Sequence, residues 1–223
     1  MSAFAAVLRK DLRLEARGGN STIALLAMSL LVLVVLVFAL DAARLRSFDT
    51  AAGALWVAMI FSGVVGATRA LSAERENGAV HGLLLSPLEA PTLYAAKTAA
   101  AFIFMAVAEA GAVVMMVLFF NLEFDASIVR LVPILMLGAL GFSALATLLS
   151  AATGHTRAGD MLLPILAVPM FVPALIAGVK ASTAALSGAP LASMGEWLRI
   201  MVAFDVLFIT AGYLLFEHVV GDD

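Results

Sequence analysis

The chain has 223 residues, of which 63% are hydrophobic and only 13% are charged, and its formal net charge is −3. This composition lies outside the range of soluble globular domains and indicates an integral membrane protein. The missing basic footprint excludes nucleic acid as a ligand, and the absence of cysteine excludes disulfides, iron–sulfur clusters and thiolate metal sites in this chain.

Apolar runs bounded by charges, glycines or prolines predict an all-α membrane protein with six transmembrane helices in a single domain, 1–223. Helices are the expected form because the lipid core offers the backbone no water to bond with, and a span needs about 20 residues. The predicted spans are residues 21–40, 52–71, 93–120, 128–153, 160–179 and 197–219.

Two of these spans carry distinctive features. The third is longer than a bilayer requires, so we expect its first turns, with Tyr94 and Lys97, to project into the cytoplasm. The fifth contains Pro164, Pro169 and Pro173, and we expect it to be kinked or broken.

Residues 3–17 predict an interfacial helix ahead of the first span. At 100° per residue its basic side chains share one face, and apolar side chains occupy the opposite face. This basic cluster predicts a cytoplasmic amino terminus, and six spans return the carboxy terminus to the same side. Asp11 and Glu15 project into the apolar arc, either to contact neighbouring helices or a partner subunit, or as solvated acids of a simple anchor. The basic residues are Arg9, Lys10, Arg13 and Arg17.

Residues 73–87 form the longest charged stretch that this topology places in the cytoplasm, and we call it the partner-contact segment. Its charges suit a helix start, two glycines four residues apart permit close approach by a partner, and Pro87 ends it. The pattern predicts a short coupling helix that receives a push from a soluble subunit; an ordinary charged loop is the alternative. Its candidate contact residues are Glu74, Arg75, Glu76, Gly78, His81, Gly82, Leu83 and Leu84.

A second cytoplasmic contact candidate is Arg157, in the loop between the fourth and fifth spans, where a plain tight loop is the alternative. The P-loop pattern G-x-x-x-x-G-K-[ST] does not occur in the chain. Any ATP that drives this protein is therefore expected on a separate subunit.

Four stretches together resemble the heme exporter protein B family, the membrane subunit of the cytochrome c maturation ABC transporter. The resemblance covers nearly the whole chain. The chain departs from the family in the partner-contact segment: two positions after Ala79, where the family commonly has an acid, it has His81. The matching stretches are Arg9-Lys10-Asp11-Leu12-Arg13-Leu14-Glu15-Ala16-Arg17, the partner-contact segment, Leu137-Gly138-Ala139-Leu140-Gly141-Phe142 and Met161-Leu162-Leu163-Pro164-Ile165-Leu166-Ala167-Val168-Pro169.

The resemblance implies an architecture like that of ABC-2 type exporter permeases. It also implies a non-catalytic subunit, present in two copies, in the bacterial inner membrane. A separate ATP-binding subunit would hold ATP and Mg²⁺ and contact the partner-contact segment. Other cytochrome c maturation membrane proteins and a periplasmic heme chaperone would complete the complex, with heme as a possible substrate and no cofactor bound by this chain. Whether the chain moves heme or helps release the heme-loaded chaperone is left open by the resemblance.

The histidines bear on that alternative. His81, His155 and His218 all fall on the cytoplasmic side of the predicted topology, which leaves no histidine to ligate heme on the periplasmic side. A force-transmitting role is favoured over a heme conduit.

Two acids lie within the predicted spans, Glu109 in the third and Asp205 nearer the outer end of the sixth. Placing a carboxyl group in the lipid core costs free energy, so these acids are expected to have a specific role. Each is a structural polar contact between helices, a gating or substrate contact, or part of a proton relay. Two other functions stay open: an ABC-2 type permease for a lipid, saccharide or drug, and a proton-coupled secondary transporter that uses these acids.

Overall fold

The computed structural model describes residues 3–18, 20–39, 47–76, 89–154 and 159–221. These residues form seven α-helices and no strand. All but the first helix are long and apolar enough to cross a membrane, so the predicted all-α fold with six spans is confirmed. The helices are α1 (Ala3–Gly18), α2 (Asn20–Ala39), α3 (Phe48–Glu76), α4 (Ala90–Phe119), α5 (Ala126–Gly154), α6 (Gly159–Leu186) and α7 (Leu191–Gly221).

Several helices are longer than the apolar runs that predicted them. α3 continues to Glu76, beyond the predicted end at residue 71, and α7 begins at Leu191, six residues before the predicted start at 197. Hydropathy marks only the stretch that suits lipid, whereas backbone hydrogen bonding continues into polar flanks until a breaker occurs. α4 begins just after Glu89 with a proline in its first turn. The proline lacks an N–H group, but the N–H groups of a first turn have no acceptor within the helix, so no helical hydrogen bond is lost.

The three prolines do not interrupt α6. We expected this span to be kinked or broken; it is not broken, because the helix is continuous from Gly159 to Leu186 with Pro164, Pro169 and Pro173 inside it. Each proline removes only one bond of the helical ladder. The remaining bonds, and the packing of the fully buried Phe171 between the second and third prolines, are enough to keep the helix together.

The centre of the bundle is built around Trp56 of α3, whose side chain is completely buried. Its indole packs directly on Gly138 of α5 and Gly178 of α6, where any added Cβ would overlap the ring. The indole Nε1 donates a hydrogen bond to Ser182 Oγ, 2.9 Å away. Three helices therefore meet at one aromatic side chain whose polar atom is satisfied.

An aromatic cluster extends this core towards α7. Phe171 stacks near Trp56 with ring centroids 6.4 Å apart, and it makes edge-to-face contacts with Phe142 at 5.2 Å and Phe204 at 5.5 Å. Phe204 in turn lies 4.5 Å from Phe208. Such aromatic pairs contribute about 0.5–1.5 kcal/mol each beyond area burial, so the cluster joins α3, α5, α6 and α7 into one unit.

α2 lies at the edge of this unit. One stripe of the helix is buried, with Leu25, Ser29 and Leu33 at four-residue spacing facing α3 and α4. Large apolar side chains on its other faces, including Leu31 and Phe38, remain exposed. Such a surface suits lipid or another membrane helix.

Candidate functional site

The amino-terminal helix α1 is attached to the bundle by an ion pair. Asp11 Oδ2 lies 3.4 Å from Lys97 Nζ of α4, and both side chains are largely buried, with exposed fractions of 13% and 16%. Lys10, which is more exposed, lies 3.2 Å from the other carboxylate oxygen of Asp11. The acid in the apolar arc of α1 thus contacts a neighbouring helix of its own chain.

The opposite side of α1 carries exposed basic residues. Arg9, Lys10 and Arg13 are exposed, whereas Val7 is buried against the bundle. This division is the one expected of a helix that rests on the bundle and presents cations outward. Glu15 and Arg17 belong to α1 as well, but their side chains are outside the described part of the chain.

α1 also marks one end of the bundle. Lys97 is the eighth residue of α4, so α1 packs beside the start of that helix. α3 ends at the same side, because α3 and α4 are joined by residues 77–89. Helix α1 therefore shares an end of the bundle with the end of α3 and the start of α4, between which residues 77–89 run.

Much of the partner-contact segment itself lies outside the described residues. Glu74, Arg75 and Glu76 form the last turn of α3 rather than the start of a separate helix, and no glycine or proline lies between Gly66 and these residues. Their side chains are not described. The predicted contacts outside the described residues are Gly78, His81, Gly82, Leu83, Leu84 and Arg157.

Tyr94, expected to project into the cytoplasm, is instead buried between helices, with 2% of its surface exposed. Its hydroxyl lies 3.0 Å from the Phe208 carbonyl oxygen of α7 and 3.2 Å from the Ala144 carbonyl oxygen of α5. Its ring packs on Gly212, where a Cβ would overlap it, and lies 5.4 Å from the ring of Phe216. The start of α4 is thereby held to both α5 and α7.

Glu109 is buried on the inward-facing side of α4, with 3% of its surface exposed. Within the described part of the chain neither carboxyl oxygen has a hydrogen-bond partner. Ten residues separate it from Phe119 at the end of α4, which places it about 15 Å from that end and near mid-depth of an apolar core about 30 Å thick. Among the described residues, the Glu109 carboxyl group is therefore held by packing and not by hydrogen bonds.

Asp205 lies close to the midpoint of α7, because that helix begins earlier than predicted. The residue is 5% exposed, and its Oδ2 has no hydrogen-bond partner among the described residues. The carboxylate faces Gly141 of α5, where a Cβ would overlap Oδ1. Gly141 therefore provides the space that the acid occupies.

The end of the bundle opposite α1 contains an open cavity of about 340 Å³. Phe48, Phe120 and Ile128 line its apolar part, and Glu123 and Asp125 lie at its polar part. Asp125 is occupied in capping α5, since its Oδ1 accepts a hydrogen bond from the Ser127 N–H at 2.9 Å. Glu123 and Asp125 are both exposed, so the cavity presents two acids to the surroundings.

Only one of the three histidines lies within the described residues. His218 is exposed in the last turn of α7, whereas His81 and His155 lie outside the described residues. Because α7 ends at the side where α4 begins, His218 shares the α1 end of the bundle.

The burial of Tyr94 was not predictable from the sequence, although the residue itself was noted there. A tyrosine near a span end is usually read as an interfacial anchor. The features that would have indicated burial of Tyr94 are the facing Gly212 and the carbonyl at Phe208, both more than a hundred residues away in the chain.

The long apolar helices and their packed interior define a multi-pass, permease-like integral membrane protein. The family model described as CcmB protein matches residues 2–220, and the chain belongs to the CcmB family. The resemblance noted in the sequence is thereby confirmed.

Individual relatives match over most of their length. The chain is 28% identical to heme exporter protein B of Bradyrhizobium diazoefficiens over 95% of this chain and 94% of that protein. It is 30% identical to heme exporter protein B of Paracoccus denitrificans over 82% of this chain and 84% of that protein. The corresponding protein of Rhodobacter capsulatus is 28% identical over 78% of this chain and 80% of that protein.

Proposed function

We propose that this chain is the membrane subunit of an ATP-driven heme exporter complex that serves cytochrome c maturation. The observation that carries the proposal is the CcmB family match across residues 2–220, together with relatives named heme exporter protein B. The chain itself is non-catalytic in this proposal, and ATP and Mg²⁺ are bound by a separate subunit.

The ATP-binding subunit contacts the partner-contact segment and Arg157 in this proposal. The geometry of the described flanks supports it, because α3 leads directly into the segment and α4 leads directly out of it. A displacement of the segment would therefore move α3, which continues into the segment, and α4, which begins shortly after it.

The role within the complex is to transmit force, with heme as the substrate of the complex as a whole. This choice is supported by the filled centre of the bundle, where Trp56, Phe142 and Phe171 occupy the space among α3, α5 and α6. A heme-sized passage between these three helices would require the aromatic cluster to come apart.

The complex contains two copies of the chain, other cytochrome c maturation membrane proteins and a periplasmic heme chaperone. It lies in the bacterial inner membrane with both termini of this chain in the cytoplasm. The exposed basic face of α1, with Arg9, Lys10 and Arg13, supports this orientation because such residues favour the cytoplasmic leaflet.

Cysteine crosslinking tests the partner contact directly, since the chain has no native cysteine. Val80→Cys and Leu84→Cys are expected to crosslink to a coexpressed ATP-binding subunit. Phe124→Cys is the matched control, because Phe124 is 73% exposed at the opposite end of the bundle and should give no crosslink. No product at either test position, or equal product at residue 124, would reject the contact.

A genetic measurement tests the substrate. Cells that lack this chain are expected to lose holocytochromes c, detected by heme staining, and to regain them when the chain is restored. Normal holocytochrome c in its absence would instead point to an ABC-2 type permease for another substrate.

A further inference from the structure

We propose that Tyr94 is a positioning residue that transmits movement of the partner-contact segment to α5 and α7. The inference rests on the proposed function and names the route by which an ATP-driven push at the segment reaches the rest of the bundle.

The location of Tyr94 suits this role. It is the fifth residue of α4, the helix that follows the partner-contact segment, and it is buried within the bundle. Any displacement of the start of α4 therefore moves the Tyr94 side chain against α5 and α7, rather than through solvent or lipid.

The hydroxyl group has two acceptors on two different helices. It carries one hydrogen, and the carbonyl oxygens of Phe208 and Ala144 lie at the similar distances of 3.0 and 3.2 Å. The hydrogen is donated to one of the two oxygens at a time, and rotation of the hydroxyl about its C–O bond transfers it from one acceptor to the other. The contact can consequently shift between α7 and α5 while α4 stays attached to the bundle.

The ring makes the contact rigid on the α7 side. Gly212 leaves no space between its backbone and the Tyr94 ring, and Phe216 covers the ring with centroids 5.4 Å apart. Compression here cannot be absorbed by a cavity, because the neighbouring atoms are already in contact. A movement of α4 towards α7 would therefore displace α7.

The ion pair between α1 and α4 links a third helix to the same part of α4. Lys97 lies one turn beyond Tyr94 on α4 and pairs with Asp11 of α1. The first eight residues of α4 thus hold three other helices, α1, α5 and α7, and they lie next to the segment that the ATP-binding subunit is proposed to push.

Packing alone does not account for a tyrosine at this position. A phenylalanine would fill the same volume without burying a hydroxyl, and a buried hydroxyl costs free energy unless it is hydrogen-bonded. The feature that tyrosine adds is the link to the two backbone carbonyls. Removal of that oxygen alone is therefore the informative change.

The test is Tyr94→Phe in the complex with the ATP-binding subunit. Three quantities are measured for each assembled complex: copurified ATP-binding subunit, ATP hydrolysis rate and holocytochrome c yield. We expect unchanged assembly and hydrolysis, with a holocytochrome c yield lower by roughly fivefold or more, from the loss of a buried hydrogen bond at the transmission point. Tyr213→Phe is the matched control, since Tyr213 is 58% exposed on α7, and all three quantities should stay at wild-type values.

Gly212→Ala provides an independent variant, because it keeps the hydroxyl but displaces the ring from α7. The same separation of hydrolysis from yield is expected. Wild-type yield in both variants would overturn the role of Tyr94 and leave the proposed function intact. A parallel loss of assembly, hydrolysis and yield would also overturn it, in favour of a purely structural role.

The proposed function fails in a different way. If the wild-type chain supports normal holocytochrome c yield beside an ATP-binding subunit that cannot hydrolyse ATP, then ATP coupling is refuted, and the transmission role falls with it.

Discussion

Trp56 Nε1 donates a hydrogen bond to Ser182 Oγ over 2.9 Å, although 126 residues separate the two along the chain. Both residues are fully buried, so this bond joins α3 to α6 where no water can replace it. Its strength should therefore be visible in the stability of the whole bundle.

Ser182→Ala is expected to lower the free energy of unfolding by about 1–3 kcal/mol, because the buried indole N–H loses its acceptor. The measurement is SDS-induced unfolding in detergent micelles, followed by tryptophan fluorescence. Ser187→Ala is the control, since Ser187 is exposed, and its effect should stay within about 0.5 kcal/mol. Equal effects of the two substitutions would contradict the importance of the bond.

Gly178→Ala is expected to destabilise the protein strongly, because the new methyl group would overlap the Trp56 indole. Overpacking of this kind typically costs about 1–3 kcal/mol. Gly53→Ala in α3 is the control: nothing lies within 4 Å of the added Cβ, and alanine favours the helix by up to about 1 kcal/mol. The two substitutions should thus change the SDS midpoint in opposite directions; a shared direction would refute the packing argument.

Asp11→Lys is expected to detach α1 from α4, because it places a second cation beside Lys97 in a largely buried position. Increased cleavage of α1 by protease in membrane vesicles would report the detachment. Adding Lys97→Asp should restore protection by recreating an opposite-sign pair. Lys10→Ala, at a more exposed partner of Asp11, should have little effect. Failure of the double variant to recover protection would argue against the ion pair as the attachment.

Glu109→Gln is expected to keep membrane abundance and holocytochrome c yield within about twofold of wild type. The amide has the same shape, and the described surroundings contain no base or donor that requires a carboxylate. Glu109→Arg should lower abundance, since a cation at mid-depth costs about 2.5–3.5 kcal/mol on insertion scales. Glu217→Gln, at an exposed acid of α7, is the control. Lost yield at normal abundance in Glu109→Gln would establish a charge-dependent role such as a proton relay.

Hydropathy alone located the six spans, because apolar length is what lipid selects. The opposed faces of residues 3–17 likewise predicted α1, which the structure shows as Ala3–Gly18. These features are local, and a single stretch of chain contains all the information they need.

The inner contacts were not predictable for the same reason. Nearly every face of α5, α6 or α7 is apolar, so the pattern does not show how each helix is rotated about its axis. The positions of Tyr94, Trp56 and Asp205 depend on which distant glycines they meet, namely Gly212, Gly178 and Gly141. Such pairings arise from packing among separate helices and leave no periodic signal in any one of them.

The ion pair between α1 and α4 also constrains how the protein is made. Asp11 leaves the ribosome early, whereas Lys97 is added only after α2 and α3 have been synthesised. At about 5–20 residues per second the interval lasts several seconds. During this time α1 lacks its attachment to the bundle, and a nascent chain that stops before α4 would never acquire it. Final placement of the first helix is therefore a late event in membrane insertion.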